Sequence, residues 1–371
     1  MNEFQSTPIL HYDHVPTRAQ HFPTWEELES DAGESLDLYQ CPFCGLIQLL
    51  IEPVEYYKDV IRASAVSDEM RAFRLQYFAS FLNENGLIGK KVLEVGAGCG
   101  EFLEILNAAG ADGYGIENRK EFVVDCQNKG LKVVQGYLEK GQPLIEGGPF
   151  DGFIIMNFLE HAPAPNTFLK QLHLNLNEEA IGLVEVPNVD MILEKNLFSE
   201  FMTDHLLYFT EETLSQLLSQ NGFHVLSCRP VWHDYCLAAV VQKRKPVNMN
   251  MFYKVWEKVE YELHTFIDDM HERKKGVAVW GAGHQALAVI SLCNIGEAIE
   301  FVIDSAVFKQ GKYTPASHIK VVSPETLKTR SDVGAVIVMA ASYSDEVAGI
   351  LKRDYPNIQT VILREYGLEY M

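Results

Sequence analysis

The chain of 371 residues is 47% hydrophobic and 22% charged, with a formal net charge of −20; it is too long for one ordinary core and predicts two or three globular domains. A field of that sign repels nucleic-acid phosphates and anionic lipid, and no stretch approaches the roughly 20 apolar residues of a membrane span, so nucleic-acid and membrane partners are both argued against. Seven scattered cysteines make no disulfide framework, and Met1 to Leu10 lacks the ordered regions of a signal peptide, which together predict a cytoplasmic protein.

Residues 1 to about 70 read as an irregular N-terminal domain, punctuated by Pro8, Pro16, Pro23, Pro42 and Pro53. It carries Cys41-x-x-Cys44-Gly45, the spacing of a zinc knuckle, in which a tight turn lets two thiolates reach one ion. Four ligands are needed. His11, His14 and His21 have suitable positions for a Cys₂His₂ site; the competing reading, a metal-free turn held by packing, is slightly favoured. A helix from Ser67 to Asn85 follows, with Met70, Phe73, Tyr77 and Phe81 at spacings of three and four. Strands and helices then alternate to about residue 245. Strands are expected at Lys90 to Glu94, Gly113 to Glu117, Phe150 to Met156 and Gly182 to Val186, and a helix at Glu101 to Ala109. That rhythm predicts a mostly parallel sheet with helices on both faces. Gln242 to Val247 reads as a linker, Met249 to about Arg273 as a long helix, and Gly276 opens a second alternating unit with strands at Val277 to Trp280 and Phe301 to Asp304.

The strongest signal is Lys91-Val-Leu-Glu-Val-Gly-Ala-Gly-Cys-Gly-Glu-Phe-Leu103. A buried strand runs into Gly96, Gly98 and Gly100, and glycines let a ligand lie directly on the backbone. A dinucleotide fold spaces its glycines G-x-G-x-x-G. Here the third glycine falls one residue early and Glu94 precedes the loop. Both differences favour S-adenosylmethionine, whose amino-acid end offers an ammonium group to a carboxylate and which has no pyrophosphate. Glu117, about 20 residues on at the end of the second strand, is placed to accept from ribose hydroxyls. Gln135 and Gly136 suit the adenine edge, and Asn157 ends the fourth strand opened by Phe150-Asp151.

This series resembles the class I methyltransferases over residues 90 to 240. With Cys41-Pro-Phe-Cys-Gly, Glu185-Val-Pro-Asn, Asp204-His-Leu-Leu-Tyr-Phe-Thr, Trp280-Gly-Ala-Gly-His and the run from Asp304 to Pro315, nearly the whole chain resembles the three-domain C-methyltransferases of deoxysugar biosynthesis. The resemblance implies an N-terminal zinc-binding domain (1–70), a class I, Rossmann-like cofactor domain (71–245) and a second Rossmann-like α/β domain (246–371). It implies methylation of a nucleotide-linked keto sugar. Methylating carbon needs an enolate, hence a base for the α-proton and donors for the oxygen. By resemblance the base is His205, with Asp204 to orient it; His161, in Asn157-Phe-Leu-Glu-His161, is a second acid/base or oxygen donor, and Tyr208 belongs to the substrate side. The competing view of either histidine is a structural, hydrogen-bonded residue.

The motif departs from the family in three ways: Asp204 stands for a glutamate, Met202 for a tyrosine, and Asp59-Val-Ile-Arg62-Ala-Ser for an aromatic-rich stretch. Arg62 points to a substrate with its own negative charge. In the C-terminal domain the resemblance places a phosphate at the helix start near Gly283 and His284, with Lys309 and Lys312 adding positive charge. The alternatives are O- or N-methyl transfer on the same scaffold, or a cofactor-binding partner subunit without catalysis. A NAD enzyme fails on spacing, because no third glycine follows Gly283 at the dinucleotide position. The substrate is expected to be a small molecule, and a monomer and a homo-oligomer are equally compatible.

Overall fold

In the computed structural model, which describes residues 7–16, 22–58 and 67–371, the N-terminal segment is not irregular throughout. It holds three strands, β1 (Leu10–Val15), β2 (Glu34–Gln40) and β3 (Ile47–Leu49). In β2 the alternation Leu36-Asp-Leu38 turns both leucines into a core while the residues between them face outward. Helix α1 (Asp68–Glu84) is capped by Ser67, whose side chain accepts from the Met70 amide, and carries Asp68 and Glu69 in its first turn, where they meet the positive end of the helix dipole. Its buried face is Arg74, Phe78, Phe81 and Leu82; the expected stripe of Met70, Phe73 and Tyr77 lies half-buried along the edge of that face.

The unit Met1–Lys245 is built on a seven-stranded sheet. Its strands are β4 (Lys91–Val95), β5 (Asp112–Glu117), β6 (Lys132–Gln135), β7 (Phe150–Met156) and β8 (Leu176–Pro187). Beyond the two-residue β9 (Leu207–Tyr208) come β10 (Phe223–Val231) and β11 (Cys236–Lys243). The order is β10-β11-β8-β7-β4-β5-β6. The five strands from β6 to β8 are parallel, and β11 and β10 close one edge antiparallel. Central strands are buried on both faces, which is why Val92-Leu93 and Phe153-Ile-Ile155 read as unbroken apolar runs. Helices α2 (Glu101–Ala108), α3 (Lys120–Asn128), α4 (Pro165–Leu174), α5 (Val189–Glu194) and α6 (Glu211–Gln220) complete the unit. β4 has β5 on one side and β7 on the other, so strand order reverses between β4 and β7, the place where a crevice opens at the carboxyl ends of parallel strands.

The first sheet, in the order β1-β2-β3-β9, takes its last strand from residues 207–208. Leu36, Leu38, Ile47 and Leu49 share a core with Val189, Ile192, Phe201 and Tyr208. The N-terminal segment is therefore packed onto the motif that contains His205.

The unit Pro246–Met371 opens with helix α7 (Asn250–Glu272). β11 runs through Lys243, so the connection between the units starts two residues later than the expected linker. Strands β12 (Gly276–Trp280), β13 (Ile299–Ile303), β14 (Val321–Val322), β15 (Val333–Val338), β16 (Gln359–Arg364) and β17 (Gly367–Tyr370) form a second sheet, ordered β14-β13-β12-β15-β16-β17. All its pairs are parallel except β16–β17. Helices α8 (His284–Leu292) and α9 (Ser344–Asp354) accompany it, and α7 packs Leu263, Phe266, Ile267 and Met270 into its core. Among the described residues no helix is long and apolar enough to cross a membrane.

Candidate active site

β4 delivers the chain into the glycine loop at the reversal point. Gly96, Gly98 and Gly100 have φ of +79°, +52° and +83°, values that side-chain-bearing residues rarely adopt. At Gly100 there is a second reason: a Cβ would lie 2.4 Å from Leu131 Cδ1. The amides of Gly96 and Ala97 donate to Ile116 O at 3.0 and 3.1 Å. One carboxylate oxygen of Glu117 accepts from the Gly98 amide at 2.9 Å and the other from the Arg119 amide at 2.8 Å. Glu117 is buried and pins the loop. The Cys126 thiol donates to Gly98 O at 3.3 Å, and burial pushes it up to about 11.

The structure brings the other expected cofactor residues to this edge. Glu94 is buried at the end of β4. The Gly136 amide donates to Glu117 O at 2.9 Å, and Gln135 reaches back to Asn118 O at 3.1 Å. A cavity of about 220 Å³ is lined by Ile116, Gln135, Gly136, Tyr137 and Leu138. Asn157 has φ +48° and donates its amide to Glu185 O at 2.8 Å. Bare loop backbone flanked by two carboxylates fits the nucleoside and ammonium ends of S-adenosylmethionine.

Past Asn157 the chain makes a single 3₁₀ turn, Leu159–His161, and meets the segment 204–206. The Leu206 amide donates to Glu160 O at 2.9 Å. His161 Nδ1 lies 2.7 Å from Asp204 O; a carbonyl only accepts, so Nδ1 carries the proton and Nε2 holds the lone pair. The His161 and His205 rings meet edge to face, with centroids 4.8 Å apart. Burial lowers the proton affinity of His161, against the opposing pull of Asp204. Burial and the neighbouring His161 push His205 down to about 3, so both rings are neutral near pH 7. Glu160, which sequence reasoning quoted without singling out, is fully buried here. Burial and the like charge of Glu185 push it up to about 8.

Three expectations change. Asp204 was to orient His205; instead its side chain accepts from Tyr56 OH at 3.0 Å and its backbone oxygen orients His161. Tyr208, expected on the substrate side, is buried, with its hydroxyl accepting from the Met202 amide at 2.9 Å and donating to Met202 O at 2.8 Å; it shapes the loop that presents His205. Lys309 was to bring free positive charge, but its ammonium is 2.8 Å from Asp304 Oδ2 and 3.1 Å from Ala282 O.

The remaining residues are placed as follows. Gly283 and His284 are exposed at the start of α8, beside a loop fixed by the Ala282 amide on Asp304 Oδ2 at 2.9 Å, and Lys312 is exposed. Cys41 and Cys44 share one tight turn, with the Gly45 amide donating to Cys41 O at 2.9 Å. His11 is turned to Asp37 and Asp13 at 2.7 and 3.2 Å, and among the described residues no cluster of three metal-ligating side chains forms around the two thiols. Arg62 and His21 lie outside the described residues.

A sheet ordered in this way, with a three-glycine loop and a terminal acid on the adjacent strand, defines a class I S-adenosylmethionine-dependent methyltransferase, and the chain belongs to that family. The sequence profile described as a methyltransferase domain matches residues 65–228, and the one described as a C-methyltransferase C-terminal domain matches residues 241–356. The chain is 24% identical over 336 residues to the C-methyltransferase NovU of Streptomyces niveus, covering 80% of this chain and 79% of that protein. It is 30% identical over 224 residues to a ubiquinone biosynthesis O-methyltransferase of Aliivibrio fischeri, covering 51% of this chain and 93% of that one. A solved 1,6-didemethyltoxoflavin-N1-methyltransferase from Burkholderia thailandensis is more distant, at 17% identity and TM-score 0.41 over 63% of this chain and all of that one.

Proposed function

We propose that this enzyme transfers the methyl group of S-adenosylmethionine to a carbon next to a ketone in a nucleotide-linked sugar, through an enolate, with His205 as base. The observation that carries the reading is the meeting of two neutral imidazoles, His161 and His205, just beyond the strand that borders the glycine loop. The sulfonium supplies an electrophilic methyl group and leaves as a neutral thioether. The protein must remove the α-proton, hold the developing oxygen charge and align carbon with methyl.

A resting imidazole with depressed proton affinity is a weak base. The enolate charge that forms beside His205 raises that affinity in the transition state, because a negative neighbour in a poorly solvated pocket favours the imidazolium. Protonated Glu160 and the Tyr56–Asp204 contact lie in the same neighbourhood and suit an oxygen-binding role. Taken by itself, the C-terminal unit carries a candidate nucleotide-phosphate site at the helix start around Gly283 and His284. With Lys309 already paired to Asp304, phosphate recognition there rests on loop amides and Lys312. A second reading, methyl transfer to oxygen, is favoured by the likeness to an O-methyltransferase over half of the chain.

The test is incubation with methyl-labelled cofactor and a panel of nucleotide-linked keto sugars, followed by locating the label. Label on carbon, with α-proton exchange into deuterated water that His205→Ala abolishes, is the expected result. Label on oxygen, or unchanged exchange in that variant, rejects the enolate route.

A further inference from the structure

Besides the oxygen-binding role that its protonated form suits, Glu160 has the surroundings of an unfinished ligand set. Glu160, His161 and His205 each offer one ligand atom, and these atoms all lie within 4.8 Å of one another. Glu160 Oε2 is buried and has no hydrogen-bond partner, which is costly for a carboxyl oxygen out of water. His161 is already in the tautomer that a metal requires, because its Nδ1–H is taken by Asp204 O at 2.7 Å and Nε2 keeps its lone pair. The backbone bond from Leu206 to Glu160 fixes the two segments beside each other.

We propose that Glu160, His161 and His205 bind one divalent cation of the zinc or cobalt type. One carboxylate and two imidazoles are a donor set suited to such ions, with a fourth position left open. Tetrahedral bonds of about 2.0–2.1 Å put ligand atoms roughly 3.3 Å apart, so closing the set takes side-chain shifts of about an ångström. Resting on the reading of His205 as base, the consequence is regulatory. Coordination occupies the lone pair that takes the proton, so the bound cation switches enolate formation off.

The test is titration of the full-length, chelator-treated protein with Co²⁺ in the presence of S-adenosylhomocysteine. Expected are one tetrahedral site without a thiolate charge-transfer band, and binding weakened by at least about tenfold in Glu160→Gln. The site should be retained in a Cys41→Ser/Cys44→Ser double variant. Absence of binding, a thiolate band, or affinity unchanged by Glu160→Gln overturns the proposal; the wild-type spectrum decides the matter even where a variant fails to fold. Methyl transfer by the chelated enzyme, measured separately, shows whether the base reading itself has failed. If it holds, added Zn²⁺ inhibits the wild type at concentrations matching the binding curve.

Discussion

Replacing Arg74 by leucine should destabilise the N-terminal unit far more than its surface charge changes would. Arg74 and Glu185 are 1% and 0% exposed. The guanidinium grips the carboxylate with two nitrogens, Nη1 to Oε2 at 2.5 Å and Nη2 to Oε1. The pair ties α1 to the carboxyl end of β8, where Glu185 O also receives the Asn157 amide. As a whole such a pair adds little stability, since desolvation offsets attraction. Removing one partner leaves a charge in a place water cannot reach and costs about 3–5 kcal/mol. For a unit of this size, roughly 2–4 °C per kcal/mol, Tm should fall by about 6–20 °C. Differential scanning calorimetry or urea unfolding measures it. The Arg74→Leu/Glu185→Leu double variant should recover most of the loss, and titration calorimetry should show weaker cofactor binding in the single variant through the displaced Asn157. A single-variant cost below about 1 kcal/mol, the range of exposed pairs, or a double variant worse than the sum of singles, refutes the reasoning.

Three further outcomes are expected. Gly100→Ala must place a Cβ 2.4 Å from Leu131 Cδ1 and 3.0 Å from Cys126 Sγ at φ +83°; it should cost about 1–3 kcal/mol in urea unfolding and weaken cofactor binding in calorimetry. Glu117→Gln turns one acceptor into a donor facing an amide of Gly98 or Arg119, a loss of about 1.5–3 kcal/mol that should raise the S-adenosylmethionine Kd roughly 10- to 100-fold. His173 has its pKa lowered by burial and then by Lys243. The unfolded chain therefore binds more protons below pH 6.5, and stability falls as pH drops from there to the folded value. His173→Gln should flatten that limb in urea unfolding at pH 7 and pH 5.5, and an unchanged slope would show that the acid lability arises elsewhere.

The parallel core was legible because its information is local. Val92-Leu93 before Gly96, and Phe153-Ile-Ile155 before Asn157, announce buried strands and their exits without knowledge of partners. The N-terminal sheet was harder to see for a physical reason. Its strands are short and separated by proline-bearing connections, and its fourth strand, Leu207–Tyr208, comes from more than 150 residues away. The alternation Leu36-Asp-Leu38 was present as a signal, but two leucines in a proline-rich stretch do not outweigh their surroundings.

The site divides along the same line. Gly96, Gly98, Gly100 and Glu117 could be read from spacing, because a strand of known rise carries each to the same edge. Arg74, Glu160 and the true contacts of Asp204 could not, because burial of a charge is decided by what packs over it. Arg74 sits among exposed helix neighbours in sequence and against Glu185 in space. Glu160 adjoins His161 in the chain, but only the return of residues 204–206 encloses it. That return is held by the N-terminal sheet, through the Leu49 amide on Leu206 O at 2.9 Å and through Tyr56 on Asp204. The segment that looked least structured therefore sets the position of His205, and, on the proposed role of that histidine, changes in its core at Leu38 or Leu49 should lower methyl transfer in a turnover assay without touching either histidine.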